Sequence, residues 1–364
     1  ELGKAAEGEI DPLFEELYRW YAAHPEAGIP AETYRKAAFL RCADGVIGKS
    51  AASALYGDTL KNSATRLEKY AACAFAHFME FGLQIRERDQ YELKAADMGT
   101  VMHEALEKFS KKLQENGETW KTVTDDTRDR LIEECVEETM ADYGNTIFQS
   151  SSRNQYRIIR VKRILKRTVW ALQQQIRQGE FEPGEFEVSF SMEDSLSAIN
   201  IDLSEHEKMR LRGRIDRVDL CETDDKVYVK IIDYKTGNTS LDLVALYYGL
   251  QLQLAVYLDA AVELEQKKHP GKQVEPAGVF YYHIDDPMLD QEEDETDEAW
   301  GRRMLKALRM DGLVNADRKV VELLDRVLED GTTSDVIPVG KKKDGSYTSC
   351  LLYTSPSPRD RSLS

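Results

Sequence analysis

A chain of 364 residues with 41% apolar side chains can hold one large or two ordinary domains and bury a sizeable core. Its formal net charge of −17 argues against a protein that coats nucleic acid over its whole surface, so DNA binding would need a local basic patch. It has no run of the roughly 18 apolar residues a membrane span needs. Cys42, Cys73, Cys135, Cys221 and Cys350 are scattered, which fits a reducing cytosol better than a secreted disulfide scaffold. The chain begins at Glu1 rather than Met and shows no signal peptide, so a fragment is expected.

Residues 1–60 read as helical, with Leu13, Leu17, Trp20 and Tyr21 at helical spacing and a second segment from Pro30. No chemistry is visible there, and independent folding is not expected. Residues 61–82 join a short strand-like piece to a helix in which Cys73 sits among Tyr70, Phe75, Phe78 and Phe81, company that suits a buried thiol. A helix over 97–118, with Asp97 as N-cap, carries the apolar stripe Met102, Leu106, Phe109, Leu113 and places His103 beside it. Glu104 and Glu107 are read as solvated. An acidic helix over 123–148 precedes a stretch from Tyr143 to Gly179 without Asp or Glu. There Arg153, Arg157, Arg160, Arg163 and Arg167 share one helical face, and Ile158, Val161, Leu165, Val169, Leu172 and Ile176 share another. The basic stripe either pairs with the acidic helix before it or meets a phosphate backbone.

Pro183-Gly184 reads as a break before strands at FEVSF and AINIDL. The stretch 208–235 then gives two apolar strands around the turn Glu222-Thr223-Asp224-Asp225, a hairpin that brings Asp216 and Asp233 to one sheet edge. Side chains two apart on a strand share a face, so Asp233 and Lys235 point the same way. Paired carboxylates suit a hard divalent cation, and a neighbouring ammonium can orient a water or neutralise developing charge. A lone Asp-x-Lys is usually a solvated strand face; here apolar Ile231 and Ile232 precede it, Thr236-Gly237 ends it, and Gln253 and Tyr257 follow four apart on a helix over 243–266 capped by Asp242. Beyond it come a buried strand at 277–283 closed by a structural His283, an acidic mobile loop at 285–298, and helices near 296–310 and 316–329.

Gly213-Arg214-Ile215-Asp216, Ile232-Asp233-Tyr234-Lys235 and Gln253-x-x-x-Tyr257 resemble the PD-(D/E)xK nuclease core of the RecB type. Gly99-Thr100-Val101-Met102-His103-Glu104 resembles that family's first motif, whose His binds metal. Ser63–Phe78, SATRLEKYAACAFAHF, is similar to the start of the nuclease domain in the AddB-type members of AddAB (RexAB-type) helicase–nucleases. The resemblance runs from about 60 to about 349, with the motifs in the family's order.

It implies an α/β fold with a restriction-endonuclease-like core, a central mixed sheet flanked by helices, and a large helical cover. It implies a deoxyribonuclease that hydrolyses DNA phosphodiesters while double-strand ends are processed for recombination. His103, Asp216 and Asp233 would bind Mg²⁺ or Mn²⁺. Asp216, Asp233, Lys235, Gln253 and Tyr257 would form the catalytic set, and an A-type helicase–nuclease subunit would be the partner. The same resemblance makes Cys73 the first ligand of a [4Fe–4S] cluster whose other three lie near the C-terminus; Ala74 stands where the family usually has Pro. Residues 1–60 become the end of a helicase-like region and 61–349 the nuclease domain. Residues 350–364, with LLYTSPSPRDRSLS, resemble a translated sequencing adapter, so the natural protein is expected to continue past about 349, Cys350 to be spurious, and no cluster to assemble here. No G-x-x-x-x-G-K-[ST] pattern occurs, so ATP hydrolysis is not expected. Two other readings are a Cas4-like stand-alone nuclease, which the 63–78 stretch and the long 97–179 helical region disfavour, and a non-catalytic DNA-binding or assembly module, which the full set of acid, base and metal positions disfavours.

Overall fold

The computed structural model describes residues 11–28, 30–38, 48–57, 59–88, 94–142, 148, 151–190, 200–202, 208–290, 295–348 and 352–353. Cys42 and Cys350 fall outside them, as do most of 350–364 and parts of the expected AINIDL strand and acidic loop. The chain divides into two compact units, Glu1–Leu55 and Tyr56–Ser364. In the first, helix α1 (Pro12–Ala23) is capped by Asp11, whose Oδ1 accepts the Leu13 N–H at 2.9 Å. Helices α2 (Ala31–Ala38) and α3 (Lys49–Tyr56, which reaches the boundary) follow. The α1 stripe of Leu13, Leu17 and Trp20 lies exposed, at 61, 41 and 50%.

The second unit is built on a six-stranded mixed sheet. In chain order its strands are β2 (Glu182–Phe190), β5 (Gly213–Glu222), β6 (Lys226–Lys235), β7 (Gln273–His283), β8 (Asp311–Asn315) and β9 (Leu352–Tyr353), and they lie side by side in that order. A three-stranded sheet of β1 (Thr59–Asn62), β4 (Lys208–Leu211) and β3 (Asn200–Asp202) stands beside them. The expected hairpin is β5–β6, antiparallel, with Val227 opposite Glu222 at the turn. β6 and β7 are parallel, which demands a crossover; α9 (Leu243–Tyr247) and α10 (Gln253–Lys268) supply it.

Strand β6 alternates strictly. Val227, Val229 and Ile231 join Leu254, Tyr257, Ala260 and Ala261 of α10 in one core. Tyr228, Ile232 and Tyr234 face the opposite core, filled by α6 (Ala95–Glu115), α7 (Asp125–Asp142) and α8 (Ser152–Gln178). The stripes read in the sequence are the buried ones: Met102, Leu106, Phe109 and Leu113 on α6, and Val161, Leu165, Val169, Leu172 and Ile176 on α8. This parity carries Asp233 and Lys235 to the α10 side and Tyr234 to the helical side.

Several boundaries differ from the sequence reading. Asp97 is not the N-cap of α6. It sits at the third helical position, where its Oδ2 accepts the Lys94 N–H at 2.7 Å. Pro183-Gly184 does not break the chain but lies inside β2, at a register shift between Pro183 and Glu185. An edge strand tolerates the missing proline N–H. The 243–266 helix is two helices, because Gly249 takes a φ of +75° and reverses the chain between them. The 61–82 helix breaks at Cys73 into α4 (Ala64–Ala72) and α5 (Ala74–His77), and the Cys73 thiol is exposed rather than buried. Strand β8 went unread between α11 (Asp297–Ala307) and α12 (Arg318–Leu324), the latter shorter than the expected 316–329.

Behind the hairpin lies a buried charge network. Arg217 grips Asp219 with both ends of its guanidinium, at 2.5 and 2.9 Å, and Lys230 meets the same carboxylate at 2.8 Å. Arg217 and Asp219 are fully buried. Burial alone would push the Asp219 pKa up, but the two cations hold it below the ordinary range. Asp219→Asn would strand two buried cations. Urea unfolding should show a loss of about 3–5 kcal/mol; a loss below about 1 kcal/mol would mean the network is hydrated.

Candidate active site

The site forms where β5 and β6 part. Their register pairs Arg217 with Ile232 and stops there. Beyond that point the Tyr234 N–H is left to another acceptor, and the Asp216 carboxylate takes it, Oδ2 at 2.7 Å. Gly99 and Gly213 allow the packing around it. A Cβ on Gly213 would lie 2.5 Å from the Phe190 ring and 2.9 Å from the Tyr257 ring. A Cβ on Gly99 would press to 3.2 Å from Thr236 Oγ1, so the glycine lets α6 close on the end of β6. One turn further, His103 hangs over the strand end with Nδ1 3.4 Å from Asp216 Oδ2.

On the α10 side, Lys235 Nζ lies 2.6 Å from Asp233 Oδ2. Gln253 ties the group together. Its Oε1 accepts from Lys235 at 3.0 Å, and its Nε2 donates to Asp233 Oδ1 at 2.7 Å and to the Tyr257 hydroxyl at 3.3 Å. Of the sequence candidates, His103, Asp216, Asp233, Lys235, Gln253 and Tyr257 thus converge on one place.

The arginine stripe is divided. Arg163 and Arg167 face Asp286, at 2.5 and 3.6 Å, and Arg167 also lies over the Trp300 ring. The pairing with the acidic helix is made by lysines, Lys166 to Glu133 at 2.5 Å and Lys162 to Glu137. Arg157 and Arg160 instead line a cavity of about 330 Å³ with Lys94, Met98, Met102 and Thr236, the neighbour of Lys235. Arg153 is exposed at the start of α8. His283 closes β7 with Nδ1 2.8 Å from the Gly237 carbonyl oxygen. Among the described residues the cysteines do not gather: Cys135 and Cys221 are buried in the core, so a four-thiolate cluster does not fit what they offer.

Three acidic or basic groups escaped the sequence reading. Glu68, on α4, caps α10 from outside, its Oε1 accepting the N–H groups of Leu252 at 2.6 Å and Gln253 at 3.0 Å. A carboxylate suits a helix N-terminus, and this one fixes the turn that carries Gln253. Arg217 reaches the Tyr234 hydroxyl at 3.4 Å and so braces the residue whose amide holds Asp216. Glu187, on β2, has a φ of +51°, unusual for a non-glycine residue. Its side chain is only 7% exposed. Among the described residues, His103, Glu187 and Asp216 offer ligand atoms all within 4.8 Å of one another; Asp233 lies outside that group.

Charge is concentrated here against its own repulsion. Burial, then the nearby Asp216 charge, pushes the Asp233 carboxyl up to about 6, with Lys235 opposing. Burial and Asp216 likewise push Glu187 up to about 7, with Arg214 opposing. Burial would lower the His103 pKa, but its hydrogen bond and attraction to Asp216 raise it. The donor set, imidazole and carboxylate oxygens with unmet negative charge, fits a divalent cation.

Residues 61–338 match the model of the PD-(D/E)XK nuclease superfamily, and the chain belongs to that superfamily. More particularly, it is 45% identical over 350 residues to the B-type subunit of the ATP-dependent helicase/deoxyribonuclease of Lachnoclostridium phytofermentans, covering 94% of this chain and 29% of that protein. The proteins of the same name from Alkaliphilus metalliredigens and Acetivibrio thermocellus are 39% identical over 330 residues and 37% over 346. They cover 90 and 95% of this chain, and 28 and 30% of their own lengths. The chain therefore spans less than a third of these relatives and carries a nuclease domain like that of a B-type subunit.

An acid whose pKa is raised by folding binds more protons folded than unfolded, so stability falls as pH climbs through the interval. For Glu187 that interval runs from its ordinary 4.5 to about 7. Without divalent cation, Glu187→Gln should melt about 2–5 °C above the parent at pH 8 and level with it below pH 4.5. A variant melting lower at pH 8 would mean that the Glu187 charge is compensated by Arg214.

Proposed function

We propose that this chain is a metal-dependent deoxyribonuclease domain that hydrolyses phosphodiesters at DNA ends, within a longer B-type subunit that works beside an A-type helicase–nuclease. The observation that carries this is the convergence of Asp216, Asp233, Lys235 and Gln253 at the parting of two strands. Asp216 and Asp233, with His103 flanking Asp216, would hold Mg²⁺ or Mn²⁺. Such an ion supplies Lewis acidity and lowers the pKa of a water. Lys235 sits where an ammonium can orient the attacking water or offset charge gathering on the phosphate. Gln253 holds Lys235 and Asp233 in one geometry, and Tyr257 fixes Gln253. The cavity bounded by Arg157, Arg160, Lys94 and Thr236 would take the DNA strand next to the scissile bond, with Arg153 extending that surface and Arg163 and Arg167 further along the helix. Cys73, exposed at the junction of α4 and α5, would serve as one thiolate of an iron–sulfur cluster in the longer protein. The setting would be the cytoplasm; no helix among the described residues is long and apolar enough to cross a membrane.

Asp233→Ala should remove Mg²⁺-dependent cleavage of linear DNA while the circular dichroism spectrum stays that of the parent; cleavage at the parental rate would exclude this site. Neutralising Arg153, Arg157 and Arg160 together should lower the log–log salt slope of duplex-DNA binding by roughly 2–3. An unchanged slope would assign the stripe to protein packing.

A further inference from the structure

Lys235 is held on three sides, and two of the holders are Asp233 and Gln253. Its Nζ pairs with Asp233 Oδ2 at 2.6 Å and donates to Gln253 Oε1 at 3.0 Å. The third neighbour is the face of Tyr281, whose ring centroid lies 5.3 Å from Nζ. Tyr281 stands on β7 opposite Asp233, while Lys235 is in register with His283. The lysine stem therefore leans back along the strand, and its ammonium comes to rest over the ring. The ring itself has little freedom. Tyr281 is 2% exposed, packs in the same core as Leu254 and Tyr257 of α10, and is paired on its far side with Asp311 of β8. Burial, and then the charges of Asp233, Glu68 and Asp311, push its hydroxyl up from the ordinary tyrosine value, so the ring stays a neutral π face.

We propose that Tyr281 is the positioning residue for Lys235, its ring seating the ammonium when the Asp233 carboxylate is engaged by a cation. The inference rests on the metal-dependent reading of the site given above. A carboxylate that faces a divalent cation has less negative charge to offer a neighbouring ammonium, and the two positive charges repel. A lysine stem released from its carboxylate spreads over many rotamers, because it is long and flexible. Two neutral anchors then remain, the Gln253 side-chain oxygen and the Tyr281 face. An aromatic face in a desolvated setting attracts an ammonium through its quadrupole. It brings no formal charge to the site, so it does not compete for the cation as a further carboxylate would. A leucine of similar bulk would fill the core and offer no such attraction.

The test replaces Tyr281 in the full chain by Phe, and then by singly, doubly and triply fluorinated phenylalanine. These keep the ring's shape and drain negative charge from its face, which a merely structural role would not notice. The first readout is nuclear magnetic resonance of isotope-labelled lysine in Mg²⁺ without DNA, with the Lys235 signal identified by its loss in Lys235→Arg. The parent and Tyr281→Phe should show ε-protons shifted upfield by the ring current and a rigid ε-carbon. Each added fluorine should loosen that carbon. The second readout is DNA cleavage. Tyr281→Phe should stay near the parent, and kcat should then fall stepwise with fluorination, by about tenfold to thirtyfold in total, with KM little changed. A parent without the upfield shift in Mg²⁺, or a series in which rigidity and kcat ignore fluorine, overturns the proposal. So does a full loss already at Tyr281→Phe, which would assign the role to the hydroxyl. A lysine seated on the ring and loosened by fluorine, in a chain that leaves DNA uncut, would sustain the seat and reject the nuclease reading. Cleavage with a flat fluorine series would do the reverse.

Discussion

Like charges are held together at the end of β5 and β6, and the rest of the nuclease unit can be understood as what makes that tolerable. Burial raises the cost of ionising Asp233, and the neighbouring Asp216 charge adds to it. The fold answers with fixed donors: the Tyr234 amide on Asp216, and Lys235 and Gln253 on Asp233. Each donor is in turn held from behind. Arg217 steadies Tyr234 from within the buried ion network, and Glu68 caps the turn that presents Gln253. Burial and repulsion between neighbouring carboxylates still push Asp233 and Glu187 up, and that cost is what makes the place attractive to a cation.

The strictness of the β6 alternation explains how one strand serves two tasks. Its odd-numbered residues build the α10 core and end in Asp233 and Lys235; its even-numbered residues build the helical core and end in Tyr234. A slip of one residue would send the carboxylate into the helical core. The parallel β6–β7 pair removes that freedom, since the crossover through α10 must also bring Gln253 back over the strand end.

Much of this was legible in the sequence, because two signals were periodic and one was local. The hairpin, the apolar stripes of α6 and α8, and the shared face of Asp233 and Lys235 follow from periods of 3.6 and 2. The local signal was the motifs that begin at Gly99 and Gly213, read there only as a resemblance; the close approach that requires both glycines appears in the structure. What was not legible depended on pairing at a distance. Glu187 sits in an ordinary alternating strand, and nothing local announces a positive φ or a neighbour on α6. Glu68 and Arg217 act through elements far along the chain or across the sheet. The break at Gly249 and strand β8 were hidden because a glycine inside an apolar run and a five-residue strand both resemble their helical surroundings. The exposed Cys73 shows the reverse error: aromatic neighbours in sequence do not bury a side chain that closes one helix and opens the next. At His103 the residue alone says little; the resemblance singled it out, and the structure places its ring 3.4 Å from Asp216.

The proposed chemistry needs a cation at the parting of β5 and β6. The most direct measurement is anomalous diffraction at the manganese edge from crystals of this chain soaked in Mn²⁺. An anomalous peak in contact with the Asp216 carboxylate, at the strand end bounded by His103, Glu187 and Asp233, is the result predicted. Manganese bound only elsewhere on this acidic surface, with Asp216 still holding just the Tyr234 amide, would contradict it.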